Sequence, residues 1–140
     1  MDEEQWHRLL WGLHYRKSDA FEDSISDTWA EVFVYGFHEW DAFGEETPNR
    51  DYITPGFRLY RKAELSQWNF DIEGALRFGS RRASNNSTDS QDLDVFASQI
   101  LVRVGYTFDH EWEPNFALQY YLASGDDNPN DGDFDQYERL

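Results

Sequence analysis

A chain of 140 residues has room for one domain, and with 39% hydrophobic residues it lacks the apolar mass for a thick soluble core. A formal net charge of −16 excludes nucleic acid as a partner, since that mode needs a basic footprint, and the absence of Cys excludes disulfides, thiolate metal sites and a cysteine nucleophile. The aromatic fraction of 18% is high, and its rings fall in strand-like runs that need a surface rather than one cluster.

The start, Met1 to Gln5, has neither the basic opening nor the apolar stretch of a secretory signal, so any export is expected to be encoded elsewhere. No run approaches the roughly 18 to 20 apolar residues of a transmembrane helix. A membrane crossing by this chain is therefore expected through strands. Period-two alternation dominates and predicts six of them, over 5–16, 28–40, 52–62, 69–79, 96–108 and 115–124.

In chain order, the first strand turns Leu9, Trp11, Leu13 and Tyr15 to one side and Arg8, Leu10, Gly12 and His14 to the other. In the second, Phe33, Tyr35 and Phe37 compete with Val32 and Val34, and its facing stays open. The third sets Phe57 and Leu59 against Arg58 and Tyr60. The fourth carries Phe70, Ile72, Gly74, Leu76 and Phe78 opposite Asp71, Glu73, Ala75, Arg77 and Gly79. The fifth opposes Phe96, Ser98, Ile100, Val102, Val104, Tyr106 and Phe108 to Ala97, Gln99, Leu101, Arg103, Gly105 and Thr107. The sixth opposes Phe116, Leu118, Tyr120 and Leu122 to Ala117, Gln119, Tyr121 and Ala123, and every charge in these last three strands lies on the second face.

The rings on the apolar face gather toward strand ends around an aliphatic middle, as on the lipid-facing wall of a barrel. A tilted strand needs about 9 to 11 residues to cross, which these lengths supply. The opposing side chains would be costly in a dry core, and a water-filled lumen accepts them. A dyad period also serves a soluble sandwich with the apolar face inside. Loop chemistry favours the barrel: the connections at 66–68 and 109–114 are short, while those at 41–51 and 79–95 are longer and full of Asn, Ser, Asp and Glu. The connection at 21–26 is longer than that scheme wants.

The run Thr54-Pro55-Gly56-Phe57-Arg58-Leu59 is followed by Phe70-Asp71-Ile72-Glu73-Gly74-Ala75-Leu76-Arg77-Phe78-Gly79 and by Gly105-Tyr106-Thr107-Phe108. Then come Tyr121-Leu122-Ala123-Ser124-Gly125-Asp126-Asp127, Asp131-Gly132 and Phe134-Asp135. In this order the segments resemble the C-terminal half of the alginate export barrels of bacterial outer membranes, best from Tyr52 onward. The resemblance implies an antiparallel up-and-down barrel of about eighteen strands, within the range of bacterial barrels. It also implies passive export of an anionic polysaccharide such as alginate, contact with outer-membrane lipid, and periplasmic export components as further partners. Six strands cannot close such a barrel, whose usual minimum is eight, so residues 1–140 are expected to be a partial wall whose remaining strands are missing.

In that frame Arg58, Arg77 and Arg103, with Arg8 and Lys62, stand on the lumen side and form the expected substrate path, because guanidinium forks suit carboxylates. The competing reading pairs these arginines with Asp71 and Glu73 across strands as wall stabilisers. Asp127, Asp131, Gly132 and Glu138 fall at positions 1, 5, 6 and 12 of a calcium loop, but Pro129 stands where position 3 needs a ligand. The plain alternative is a hydrated outer loop, and no cofactor other than that candidate calcium is expected. His7, His14, His38 and His110 show no metal spacing, and the Asp71 and Glu73 pair on one strand face lacks the cross-cleft geometry of a glycosidase. No nucleophile elbow or phosphate loop is present, so an enzyme is not expected. The rival function is a soluble acidic β-sandwich binding calcium or carbohydrate through its loops.

Overall fold

The computed structural model describes residues 7–21, 25–128 and 131–138. It is all β: β1 (Arg8–Lys17), β2 (Thr28–Glu39), β3 (Asp51–Arg61), β4 (Gln67–Arg82), β5 (Asp92–Thr107), β6 (Asn115–Ala123) and the short β7 (Asp133–Phe134). Strands β1 to β6 pair antiparallel in chain order, and β7 adds in parallel beside the start of β5. Among the described residues, β1 and β6 keep one edge unpaired, so the sheet is open. The six expected strands are all present. Residues 5 and 6 of the first one lie outside the described residues, as does part of the 21–26 connection.

The register settles the facing. Phe70, Ile72, Gly74 and Phe78 stand opposite Val104, Val102, Ile100 and Phe96, and Val104, Val102 and Ile100 stand opposite Leu118, Tyr120 and Leu122. Phe57 and Leu59 join this face against Gly74 and Ile72, as do Leu9, Trp11, Leu13 and Tyr15 through β2. Leu118, Phe116 and Leu13 are 81%, 70% and 70% exposed, so no second sheet covers them. A sandwich would bury this face; here it is bare. Rings rim it at both ends, with Trp68, Tyr106, Phe108 and Phe116 in successive edge-to-face contact at one end and Phe78 against Phe96 at the other.

The second strand, left open by sequence, turns Phe33, Tyr35 and Phe37 to the polar face, because Val32 and Val34 register against Phe57 and Pro55. Its rings lie over glycines. Tyr35 covers Gly12 and Phe33 covers Gly56, while on the apolar face Trp11 covers Gly36 and Phe57 covers Gly74. Each pair is directly opposite in register, so a missing side chain on one strand makes room for a ring on the next.

Strands β4 and β5 run to 16 residues each, beyond the predicted ends. At ~3.3 Å per residue they outreach a ~30 Å hydrocarbon core even when tilted. In this extension the alternation inverts: Leu93 and Val95 are buried on the polar face, in line with the buried Ala97 that follows. The reason is the chain after β6, which folds back over that face. Ser124 bonds Ser98 through both backbone and side chain, and its hydroxyl donates to the Asp135 carbonyl at 2.6 Å. Phe134 then packs on Phe37, Tyr52 and Val95, which form the small buried apolar cluster.

Candidate functional site

The polar face carries the arginines. Arg58 donates from Nε and Nη2 to the two carboxylate oxygens of Asp71, each at 2.7 Å. Arg103 donates to the side-chain oxygens of Asn69 at 3.2 Å and Asn115 at 3.3 Å. Arg8 reaches Glu45 at 2.6 Å and stands 3.5 Å from Glu39. These three stand on the polar face with their guanidiniums at least partly accessible.

Arg77 differs. It is 3% exposed, donating from Nε to the Thr54 hydroxyl at 3.2 Å and from Nη1 to the backbone carbonyl of Glu138 at 2.8 Å. Its guanidinium lies 5.1 Å from the Tyr52 ring centre and 4.4 Å from that of Tyr137, held by the attraction of a cation for aromatic faces. The folded-back chain thus covers the middle member of the expected arginine path.

Three further arginines complete the cluster. Glu138 accepts from Arg81 at 2.5 Å and from Arg50 at 3.2 Å, with Arg81 resting 4.3 Å over Phe134. Arg50 also forks onto the fully buried Glu39 at 2.6 and 3.0 Å, which raises its pKa above the usual guanidinium range. At the end of β4, Arg82 donates to both oxygens of Asp41, at 2.9 and 2.8 Å, and to the carbonyls of Thr47 and Ser84. That guanidinium, together with the Thr47 amide, lowers the Asp41 pKa to about 2. The clamp ties the 40–50 connection to the 83–91 connection. Sequence reasoning passed over Arg81 and Arg82 because the apolar alternation that marked the fourth strand stops at Phe78, and over Arg50 because it precedes the third; the available signal was the basic pair itself, with Arg82 opposite Asp92.

The candidate calcium ligands fare differently. Glu138 is committed to Arg50 and Arg81, and Pro129 lies outside the described residues. Among the described residues no group of three or more His, Asp or Glu is arranged to hold a metal ion. Burial, and then the charges of Asp133, Asp126, Asp127 and Asp131, push the Asp135 carboxyl above its usual range.

The sheet therefore has one bare apolar face and one face of arginines interleaved with carboxylates and rings. The family model described as alginate export matches residues 10–140. No curated protein and no solved structure matches the chain.

Proposed function

The chain belongs to the alginate export family, and on that basis we propose that it forms part of the wall of an outer-membrane channel that passes an anionic polysaccharide by diffusion. Alginate export is a transport activity, and no step in this reading is catalytic. The observation that carries it is the division of a single sheet into an apolar side rimmed by rings at both ends and an opposite side bearing Arg8, Arg58, Arg77 and Arg103. A lipid-facing wall needs the first, because ring edges suit the interface and aliphatic chains suit hydrocarbon. A pore for polyuronate needs the second, because fixed positive charge lowers the barrier for carboxylates in transit.

Arg58 and Arg103 are the residues on which the reading rests most directly. Each is partly open to water, and each is held by neighbours that fix its direction without burying it. The folded-back chain adds a constriction on the same side over Arg77. Outer-membrane lipid is the partner of the apolar face, and periplasmic export components would meet the barrel at its mouth.

The test is ion selectivity of the whole barrel containing this wall, reconstituted in planar bilayers across a KCl gradient. Changing Arg58 and Arg103 together to Ala is expected to move the reversal potential toward cation preference. An unchanged potential would end the arginine reading.

A further inference from the structure

At the end of the sheet where the 62–66 and 108–114 connections are short, the polar face opens into a cleft of about 340 Å³ lined by Arg16, Trp29, Glu31, Arg58, Tyr60 and Lys62. Trp29 and Tyr60 stand directly opposite each other on β2 and β3, with ring centres 5.7 Å apart and planes inclined by 49°. Rings on the apolar face are explained by lipid. Trp29 is on the water side, where an indole 38% exposed has no such reason to be there.

Each ring carries a guanidinium over one face, and further charges stand beside the pair. Arg16 lies 5.2 Å over Trp29 and donates to Glu31 at 2.7 Å. Arg58 lies 5.3 Å over Tyr60 and forks onto Asp71. Lys62 sits at the rim, 2.6 Å from Glu64. Two inclined rings, each with a guanidinium over one face and with carboxylates and a lysine beside them, match one kind of ligand well. The C–H face of a pyranose ring packs on aromatic faces, its hydroxyls pair with carboxylates, and a ring carboxylate pairs with a lysine or guanidinium. The cleft volume lies in the range of small-ligand sites and accommodates one sugar residue.

We infer that this cleft is a subsite for a uronic-acid residue, in which the sugar stacks on Trp29 and Tyr60 and its carboxylate is met by Lys62 and Arg16. The inference rests on the channel reading for its placement in the lumen, and it adds a stacking station distinct from the Arg77 region at the other end of the strands. A chain threading past would pause here through contacts with its ring faces, which fixed charge alone does not supply.

The test is calorimetric titration of the full chain in detergent micelles with trimannuronate, and with the neutral maltotriose as control. Binding of trimannuronate is expected, weakened by added salt and tighter than maltotriose. Trp29→Ala is expected to weaken it about tenfold, the loss of one principal aromatic contact. Trp29→Phe, which keeps a ring and its packing, retains most of the affinity, and Lys62→Gln removes much of the preference over maltotriose. Equal affinities for Trp29→Ala and the unaltered chain overturn the subsite, as does absence of binding or equal binding of the neutral sugar. Because the channel reading is tested separately, by the reversal potential of the Arg58 and Arg103 variant, either can fail while the other stands.

Discussion

Arg58 faces Glu73 directly in the strand register, yet its guanidinium reaches diagonally to Asp71. The diagonal is favoured because it lets the planar fork meet both carboxylate oxygens at once. Asp71→Asn would leave the Arg58 charge free to meet a passing carboxylate. The expected result is stronger anion selectivity in bilayers at a stability cost of about 0.2–1 kcal/mol, the scale of a part-exposed ion pair. Loss of anion selectivity in this variant would show that the pair serves the wall and not the passage.

The ring-over-glycine pairs differ in what blocks a side chain. A Cβ at Gly56 would meet the Gly74 carbonyl oxygen at 2.7 Å as well as the Phe33 ring, and backbone cannot turn aside. The nearest atoms to one at Gly74 belong to the Phe57 ring, at 2.8 Å, a side chain on the bare apolar face that can swing aside. Gly56→Ala is expected to cost about 1–3 kcal/mol and Gly74→Ala clearly less. Urea unfolding in detergent ranks them, and the reverse order would refute the packing argument.

The Asp41 and Arg82 clamp carries a pH signature. With the Asp41 pKa lowered from 3.8 to about 2, its contribution is present above the ordinary carboxylate value and is lost as pH falls through about 2. Protection of the Thr47 amide, which donates to Asp41 at 2.8 Å, should collapse over that window. Asp41→Asn should show no such step; a step that persists points to another group.

Asp135 has the opposite sign. Its pKa is raised, by burial first and by neighbouring aspartates next, so its contribution is present below the ordinary carboxylate value and is lost as pH rises through the folded-state value. Asp135→Asn removes that penalty at neutral pH. The Asp94 amide, which donates to the Gly132 carbonyl at 3.1 Å, should then exchange more slowly. Faster exchange would mean the carboxylate itself secures the turn.

The last four of the six main strands could be faced from sequence because apolar and polar residues alternate along them; in the first, Leu10 beside Arg8 blurs the alternation. The second could not, since rings and valines are both apolar and only the pairing of Val32 with Phe57 decides which set meets water. The arginines of the polar face were legible for the same reason as the strands. Their partners were not: Arg77 meets Tyr137 and Glu138 some sixty positions later, and no local period records such a contact. The extension over 92–95 was missed because its apolar residues point the other way, toward a cover made of Phe134. The Trp29 and Tyr60 cleft was likewise hidden, because each ring alone looks like an ordinary strand residue.

Hydrogen bonds between neighbouring strands resist their separation but do little to stop the sheet rolling about the strand axes. The residues after β6 supply what the ladder lacks, for Phe134, Tyr137 and Glu138 reach Phe37 on β2, Tyr52 on β3, Arg77 and Arg81 on β4 and Val95 on β5. Four strands are thereby tied crosswise on one side, like a bow by its string. At that end the curvature of the wall is set by the length of the string, and the opposite end, crossed by no such tie among the described residues, is left the more compliant of the two.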